Sequence, residues 1–163
     1  MDDGVQSSDL GGGMMANDSR TYTVSTDKAR LDLDLVHRWL SEVSYWAQGR
    51  SRDVVERSIE HSLAFGAYLG DEQVGFARAV TDYATFAWLC DVFVDESHRG
   101  RGVGKLLVRS VTAHPELQGL RLMVLATRDA HGLYETHGGF HVVNAPERWM
   151  VRHVEGGSPP CAS

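Results

Sequence analysis

The sequence predicts an α+β fold in three layers, with helices on both faces of a mixed, mostly antiparallel sheet that contains one parallel strand pair. Two apolar runs, 65–69 and 73–80, meet across Gly70-Asp71-Glu72, a short turn that makes them an antiparallel hairpin. A third run, 85–94, ends in a glycine-alternating turn followed by an amphipathic helix and another apolar run at 121–126. A right-handed crossover of that kind makes the two flanking strands parallel neighbours. Segments of helical period stand before the hairpin and after it, so the sheet has material to cover both faces.

In chain order, a first strand is expected at 21–25. At 32–42, Leu33, Val36, Leu40 and Val43 recur at helical spacing. The loop 44–51 carries Tyr45, Trp46, Gln48 and Gly49. A second helix at 52–62 buries Val54, Val55, Ile59 and Leu63, and its alternating charges read as a solvated face. The helix at 102–113 stops before Pro115, because the residue preceding a proline is kept out of the α region. Residues 121–126 read as a buried strand, 130–137 as a short helix, and 140–143 and 149–154 as terminal strands.

Composition narrows the classes. At 163 residues with 42% hydrophobic content, the chain is of single-domain size. The domain is expected at 20–154, between loose Gly-, Ser-, Asp- and Pro-containing tails at 1–19 and 155–163. Of the net charge of −6, Asp2, Asp3, Asp9 and Asp18 supply four, in a stretch free of Lys and Arg. A folded part near −2 disfavours nucleic acid as a partner. No apolar run has the length of a membrane span and no secretory pattern opens the chain, so no membrane partner and a cytoplasmic location are expected. Cys90 and Cys161 are too few for a disulfide framework, and the eight histidines form no His-Glu-x-x-His pattern, so no metal is expected.

The densest chemistry lies in Val92-Phe93-Val94-Asp95-Glu96-Ser97-His98-Arg99-Gly100-Arg101-Gly102-Val103-Gly104-Lys105. Glycines let backbone N–H groups converge on an anion, and the helix that follows adds its positive end at the same point. Arg99, Arg101 and Lys105 add full charges around the nest. The segment is built to grip phosphate. It is not a Walker A loop, because Arg99 stands where the first glycine should be and Leu106 where Ser or Thr should follow the lysine. Nor is it a dinucleotide fingerprint: Lys105 occupies the third glycine position.

The pattern Arg-x-x-Gly-x-Gly, carried by Arg99, Gly102 and Gly104, resembles the acyl-CoA pyrophosphate loop of the GNAT superfamily of N-acetyltransferases. A second stretch, from Ala130 through Leu133-Tyr134 to Gly139-Phe140, resembles that superfamily's Ala-x-x-Leu-Tyr signature. The order of elements matches over about residues 21–153. The resemblance implies acetyl-CoA as cosubstrate, with its pyrophosphate on Arg99, Gly100, Arg101, Gly102, Val103, Gly104 and Lys105. The pantetheine arm would pair with Val92, Phe93 and Val94 where the parallel strands splay. Thr127 stands where the family often has Asn, seven residues before Tyr134. Gly138-Gly139 adds one residue before Phe140.

Acetyl transfer to an amine needs a deprotonated acceptor, a stabilised oxyanion and a proton for the leaving thiolate. Deprotonating an ammonium of pKa about 10.4 at pH 7 costs roughly 4–5 kcal/mol, so a carboxylate or a route to one is useful. The resemblance gives Tyr134 the role of general acid, Asp91 that of general base, and the Val92 N–H that of oxyanion donor, while alternation along a strand that can bulge does not say whether Asp91 or Cys90 faces the acceptor. Asp82 and Tyr83 are rivals of Asp91. Tyr45, Trp46, Tyr83 and Trp88, with acids nearby, suggest an acceptor pocket for an amine cation. Exposed aromatics serve equally as contacts in a homodimer. The expected activity is N-acetylation of a small amine or peptide amine in a direct ternary complex. The alternatives are a non-catalytic acyl-CoA sensor or a protein-interaction module on the same fold.

Overall fold

A computed structural model describes residues 21–154, and within them the apolar alternation becomes a five-stranded sheet. The strands are β1 (Tyr22–Ser25), β2 (Leu63–Leu69), β3 (Glu72–Thr81), β4 (Phe86–Val94) and β5 (Leu122–Val124), in spatial order β1-β2-β3-β4-β5. The first four are antiparallel neighbours, and β4 and β5 are parallel. Gly70, at φ 64°, supplies the left-handed turn between β2 and β3. The tails expected at 1–19 and 155–163, with Cys161, lie outside the described residues.

Helices α1 (Leu33–Arg38) and α2 (Arg52–Glu60) cover one face of the sheet, while α3 (Val103–Thr112) and α4 (His131–Gly138) cover the other. On the first face Val36, Trp39, Leu40, Val55 and Ile59 pack on Ala64, Phe76 and Phe93. On the second, Val103, Leu107 and Val111 pack on Phe65, Ala67, Val74, Ala77 and Leu89. The three-layer expectation holds. Burying each of the Val, Leu, Ile and Phe side chains among them contributes about 1.5–3 kcal/mol, so the two faces together fix the sheet's position.

Three expectations are corrected. The helix expected at 32–42 keeps α-helical pairing only to Arg38 and then widens into a π turn, Trp39–Val43. The cause is Ser44: its N–H donates to the Trp39 carbonyl at 2.8 Å, and its hydroxyl to that of Leu40 at 2.6 Å. The wide turn keeps Trp39 and Leu40 buried and swings the chain into the loop that bears Tyr45, Trp46 and Arg50. The terminal strands expected at 140–143 and 149–154 do not form; a 3-10 turn at Pro146–Arg148 is the regular element there. Alternation reports which face a strand would bury, not that an edge is available to pair with, and Pro146 offers no N–H. The strand expected at 121–126 is correspondingly short and half-exposed, since nothing pairs with its outer edge among the described residues.

The added glycine finds a reason in packing. Gly139, at φ 71°, caps α4 in the left-handed region. Gly138 lies where a Cβ would come within 2.7 Å of the Phe140 ring and 2.9 Å of Val108 on α3. The pair therefore lets α4 end against α3. Gly138→Ala is expected to lower unfolding free energy by about 1–3 kcal/mol, the usual range for overpacking. Gly132→Ala, on the same helix with open space around it, should instead gain up to about 1 kcal/mol. Urea unfolding of the two variants checks both signs.

Candidate active site

The site begins where β4 and β5 part. They pair only from Phe86–Leu122 to Trp88–Val124, after which β5 ends while β4 runs on to Val94. Among the described residues the second half of β4 therefore has no strand partner on that side, and a cleft opens between the strands. On its other side β4 carries a bulge: Phe76 faces Phe93 and Arg78 faces Cys90, so three steps on β4 match two on β3. The bulge is made by Asp91, whose φ of 53° is left-handed. It takes the Asp91–Val92 backbone out of the regular ladder at the mouth of the splay.

Beyond Val94 the chain turns through Asp95, whose N–H donates to the Val74 carbonyl at 2.9 Å and whose carboxylate accepts from the Ser97 N–H at 3.0 Å. Gly100 and Gly102, at φ 73° and 88°, are both left-handed, so side chains there would be strained. The first helical hydrogen bond of α3 runs from the Leu106 N–H to the Gly102 carbonyl, and no side chain among the described residues caps the helix. The N–H groups of Val103, Gly104 and Lys105 thus precede the first helical bond at the positive end of the helix. Gly104 lies under Leu133 and Val94, where a Cβ would fit at 3.8 Å, so its open face matters to a ligand more than to the fold. Arg101 and Lys105 are exposed beside the nest. Arg99 folds back, its Nε donating to the Val94 carbonyl at 3.1 Å.

The cleft between β4 and β5 continues into a cavity of about 660 Å³. Tyr134 and Thr127 reach it from one side, Tyr45 and Trp46 from the loop after α1, and Trp88 and Val92 from β4. Burial pushes the Tyr134 hydroxyl up to about 12, with smaller contributions from Tyr45 and Asp129. The phenol stays protonated, as a hydrogen-bond donor must. Thr127 Oγ1 accepts from the Ala130 N–H at 3.1 Å, leaving its own proton to give. Tyr45 and Trp46 meet edge to face at 4.9 Å, and the Arg128 guanidinium lies 3.8 Å from the Tyr45 ring centroid.

Asp91 lines the cavity as the centre of an ion-pair hub. Its Oδ2 accepts from Arg78 Nε at 2.6 Å and from Arg50 Nη1 at 2.9 Å. The Asp91 side chain is 2% exposed and those of Arg50 and Arg78 are 13% and 12% exposed. Arg78 also donates through Nη1 to the Ser62 hydroxyl. Sequence reasoning passed over both arginines. Arg78 had a signal: a guanidinium inside an apolar strand must be paired, and Asp91 was the acid on the neighbouring strand. Arg50, in a polar loop, had none.

Asp82 and Tyr83 do not reach the cavity. Asp82 Oδ1 accepts from the N–H groups of Thr85, Ala84 and Phe86, and Oδ2 from the Thr85 hydroxyl. Those bonds, Thr85's first, hold its carboxyl well below the usual range and fix the β3–β4 turn. Tyr83, at φ 59°, projects from the same turn.

Comparison with known proteins agrees with this geometry. Residues 33–140 match the family model described as the acetyltransferase (GNAT) family. A Gibberella zeae protein named as a candidate acetyltransferase is 31% identical over 135 residues, 69% of this chain and 75% of that protein. A crystal structure of a candidate GNAT-family acetyltransferase from Xanthomonas campestris pv. campestris is 51% identical, covers 83% of this chain and 95% of that one, and superposes with a TM-score of 0.79. A GNAT-family protein from Streptococcus pneumoniae TIGR4, 22% identical over 84% of this chain and 98% of its own, shares the fold at a TM-score of 0.64. With a splayed parallel strand pair, an uncapped glycine loop and a family match over most of its described length, the chain belongs to the GNAT acetyltransferase family.

Proposed function

We propose that this chain moves an acetyl group from acetyl-CoA to a primary amine of a small molecule or peptide, in a direct ternary complex. The observation that carries the reading is the cleft: β4 leaves β5 after Trp88, and Tyr134 and the bulged Asp91–Val92 backbone line the cavity beyond it. The uncapped N–H groups of α3 suit the pyrophosphate, and the unpaired edge at Val92, Phe93 and Val94 suits an amide-bearing arm. An acceptor amine in the cavity then meets the thioester, with the Val92 N–H as donor to the developing oxyanion. The nitrogen bonds to the acyl carbon, the carbon–sulfur bond breaks, and the sulfur receives a proton. In a non-catalytic sensor the Tyr134 ring would still pack on Phe140, but its protonated hydroxyl in the cavity would have no task.

Tyr134 is the proton source. Against a thiolate of pKa about 8.5, a phenol near 12 is too weak an acid by roughly 5 kcal/mol. The burial that raises the phenol raises the thiol in the same cleft, however, and closes part of that gap. Tyr134→Phe is expected to leave acetyl-CoA affinity and melting temperature nearly unchanged and to lower kcat by about 10²–10⁴-fold. A phenol held near 12 also places its own titration outside the working range, so Tyr134 should impose no alkaline loss of kcat between pH 7 and about pH 10. Steady-state rates over that range, with melting curves of the same variant, check both; full activity in Tyr134→Phe would remove it from the mechanism.

For Asp91 the hub changes the assignment. Its Oδ2 is shared by both guanidiniums in a hub largely removed from water, so we assign Asp91 to positioning Arg50 and Arg78 and send the amine's proton to solvent through the open cleft. Asp91→Asn should then destabilise the fold by about 3–5 kcal/mol, as removal of one partner from a buried ion pair does. Its rate deficit should be the same at pH 7 and pH 9. A deficit that shrinks at pH 9, in a stable variant, would restore Asp91 as the base.

The test of the whole reading is calorimetric binding of acetyl-CoA followed by amine-dependent thiol release. Gly104→Asp adds a negative charge at a position where the fold tolerates a Cβ. It should weaken acetyl-CoA binding by at least about 1–3 kcal/mol. Unchanged affinity in the folded variant would sink the loop assignment.

A further inference from the structure

We infer that the acceptor amine carries an anionic group, a carboxylate or a phosphate, received by Arg50 and Arg78; the inference rests on the transferase reading above and names its substrate class. The hub contains two guanidiniums and one carboxylate, all of them largely removed from water. One positive charge is left over at the wall of the cavity. Buried charge persists when it is paired, and an unpaired surplus in a binding cavity marks the place of a ligand of opposite sign.

Among the described residues, no other group lining the cavity cancels that charge. Asp129 is the one other acid on its lining among the described residues, and it is already within 3.7 Å of the Arg128 guanidinium. The glycine loop and α3 do not line this cavity, so the anionic groups they suit lie elsewhere. Donors are also to spare. Among the described residues Arg50 uses Nη1 alone, and Arg78 uses Nε and Nη1, which leaves N–H groups on both for a planar or tetrahedral oxyanion.

The same observations disfavour a purely cationic acceptor such as a polyamine. The sequence suggested that the aromatic wall would hold an amine cation. In the structure Arg128 already covers the Tyr45 ring at 3.8 Å, so that face is taken by the protein's own cation. A second positive group on the ligand would meet the hub's surplus charge at close range. An amine a few bonds from a carboxylate or phosphate places its anion on the hub and leaves its nitrogen free in the cavity that Tyr134 and Val92 share.

Matched amines test this with the full chain and acetyl-CoA. Glycine is compared with glycinamide, leucine with leucinamide and with isopentylamine, and phosphoethanolamine with ethanolamine; putrescine and amidated peptides without acidic residues complete the set. The readouts are thiol release and the mass of the acetylated product. At least one anionic amine is expected to exceed its neutral partner by about 10–100-fold in kcat/KM, the range of a charged hydrogen-bond pair. Whether the carboxylate or the phosphate series shows the gain identifies the anion. Arg50→Gln should narrow that ratio to about threefold or less, and Arg50→Lys should restore part of it. Neutral or cationic amines turned over as well as or better than their anionic partners would overturn the inference and leave acetyl transfer standing. If acetyl-CoA neither binds nor is consumed, the transferase reading fails. The anion site is then judged alone, by calorimetric binding of N-acetylglycine against N-acetylglycinamide, and equal affinities overturn it.

Discussion

Two parallel strands that stop pairing after three residues set the terms for the rest of this molecule. A sheet edge left open inside a domain exposes N–H and C=O groups that should be costly, and such edges are usually paired or covered. Here the open stretch of β4 faces a cleft rather than bulk surface, with Tyr134 of α4 on one side and the Tyr45–Trp46 loop on the other. The cores on both sheet faces supply the rigidity. Val103, Leu107 and Val111 hold α3 on one side while Trp39 stacks on Phe93 at 5.3 Å from the other. Phe93 is thereby fixed by its side chain, leaving the backbone of β4 to face the cleft. Packing energy on two faces keeps an unsatisfied edge in place for a ligand to complete.

How much of this was legible in the sequence follows from the range of each signal. The hairpin, the crossover, the glycine loop and Tyr134 are local patterns whose residues lie within one or two elements, and periodicity or turn chemistry exposes them. The hub is not local: Arg50 and Asp91 are 41 positions apart, and Arg78 and Asp91 are 13. The bulge that turns Asp91 toward them breaks the very alternation by which its direction would be read. The terminal strands failed for another reason. Residues 140–143 and 149–154 carry a strand-like composition, but composition holds no information about whether the edge of β5 will pair with them. The π turn at Trp39–Val43 was hidden because a one-residue widening barely shifts a helical pattern.

The hub also shows how the site and the fold share one set of residues. Arg50 belongs to the loop after α1, Arg78 to β3 and Asp91 to β4, so the carboxylate ties three otherwise separate segments at the cavity wall. Ser44 begins that loop through its two hydrogen bonds to the π turn, and Arg50 anchors its far end. The aromatic wall between them is held from both sides, and Arg128 clamps the Tyr45 ring from across the cleft. A loop fixed at both ends can keep a cavity open without a ligand, which lowers the ordering cost of binding.

The identity of residue 91 is decided by competition between backbone and charge. At φ 53° a glycine or asparagine would suit the bulge better, and holding an ordinary residue there costs on the order of 1–2 kcal/mol. Removing the carboxylate would leave two buried guanidiniums facing each other without a counter-charge, a loss of roughly 3–5 kcal/mol. Aspartate tolerates the left-handed region better than most side chains, so it meets the second demand at the least expense to the first. Glutamate would carry the same charge one methylene further, into a site where Oδ2 already sits 2.6 and 2.9 Å from its two partners. The electrostatic term is the larger, and it is the one that keeps an acid at a left-handed bulge.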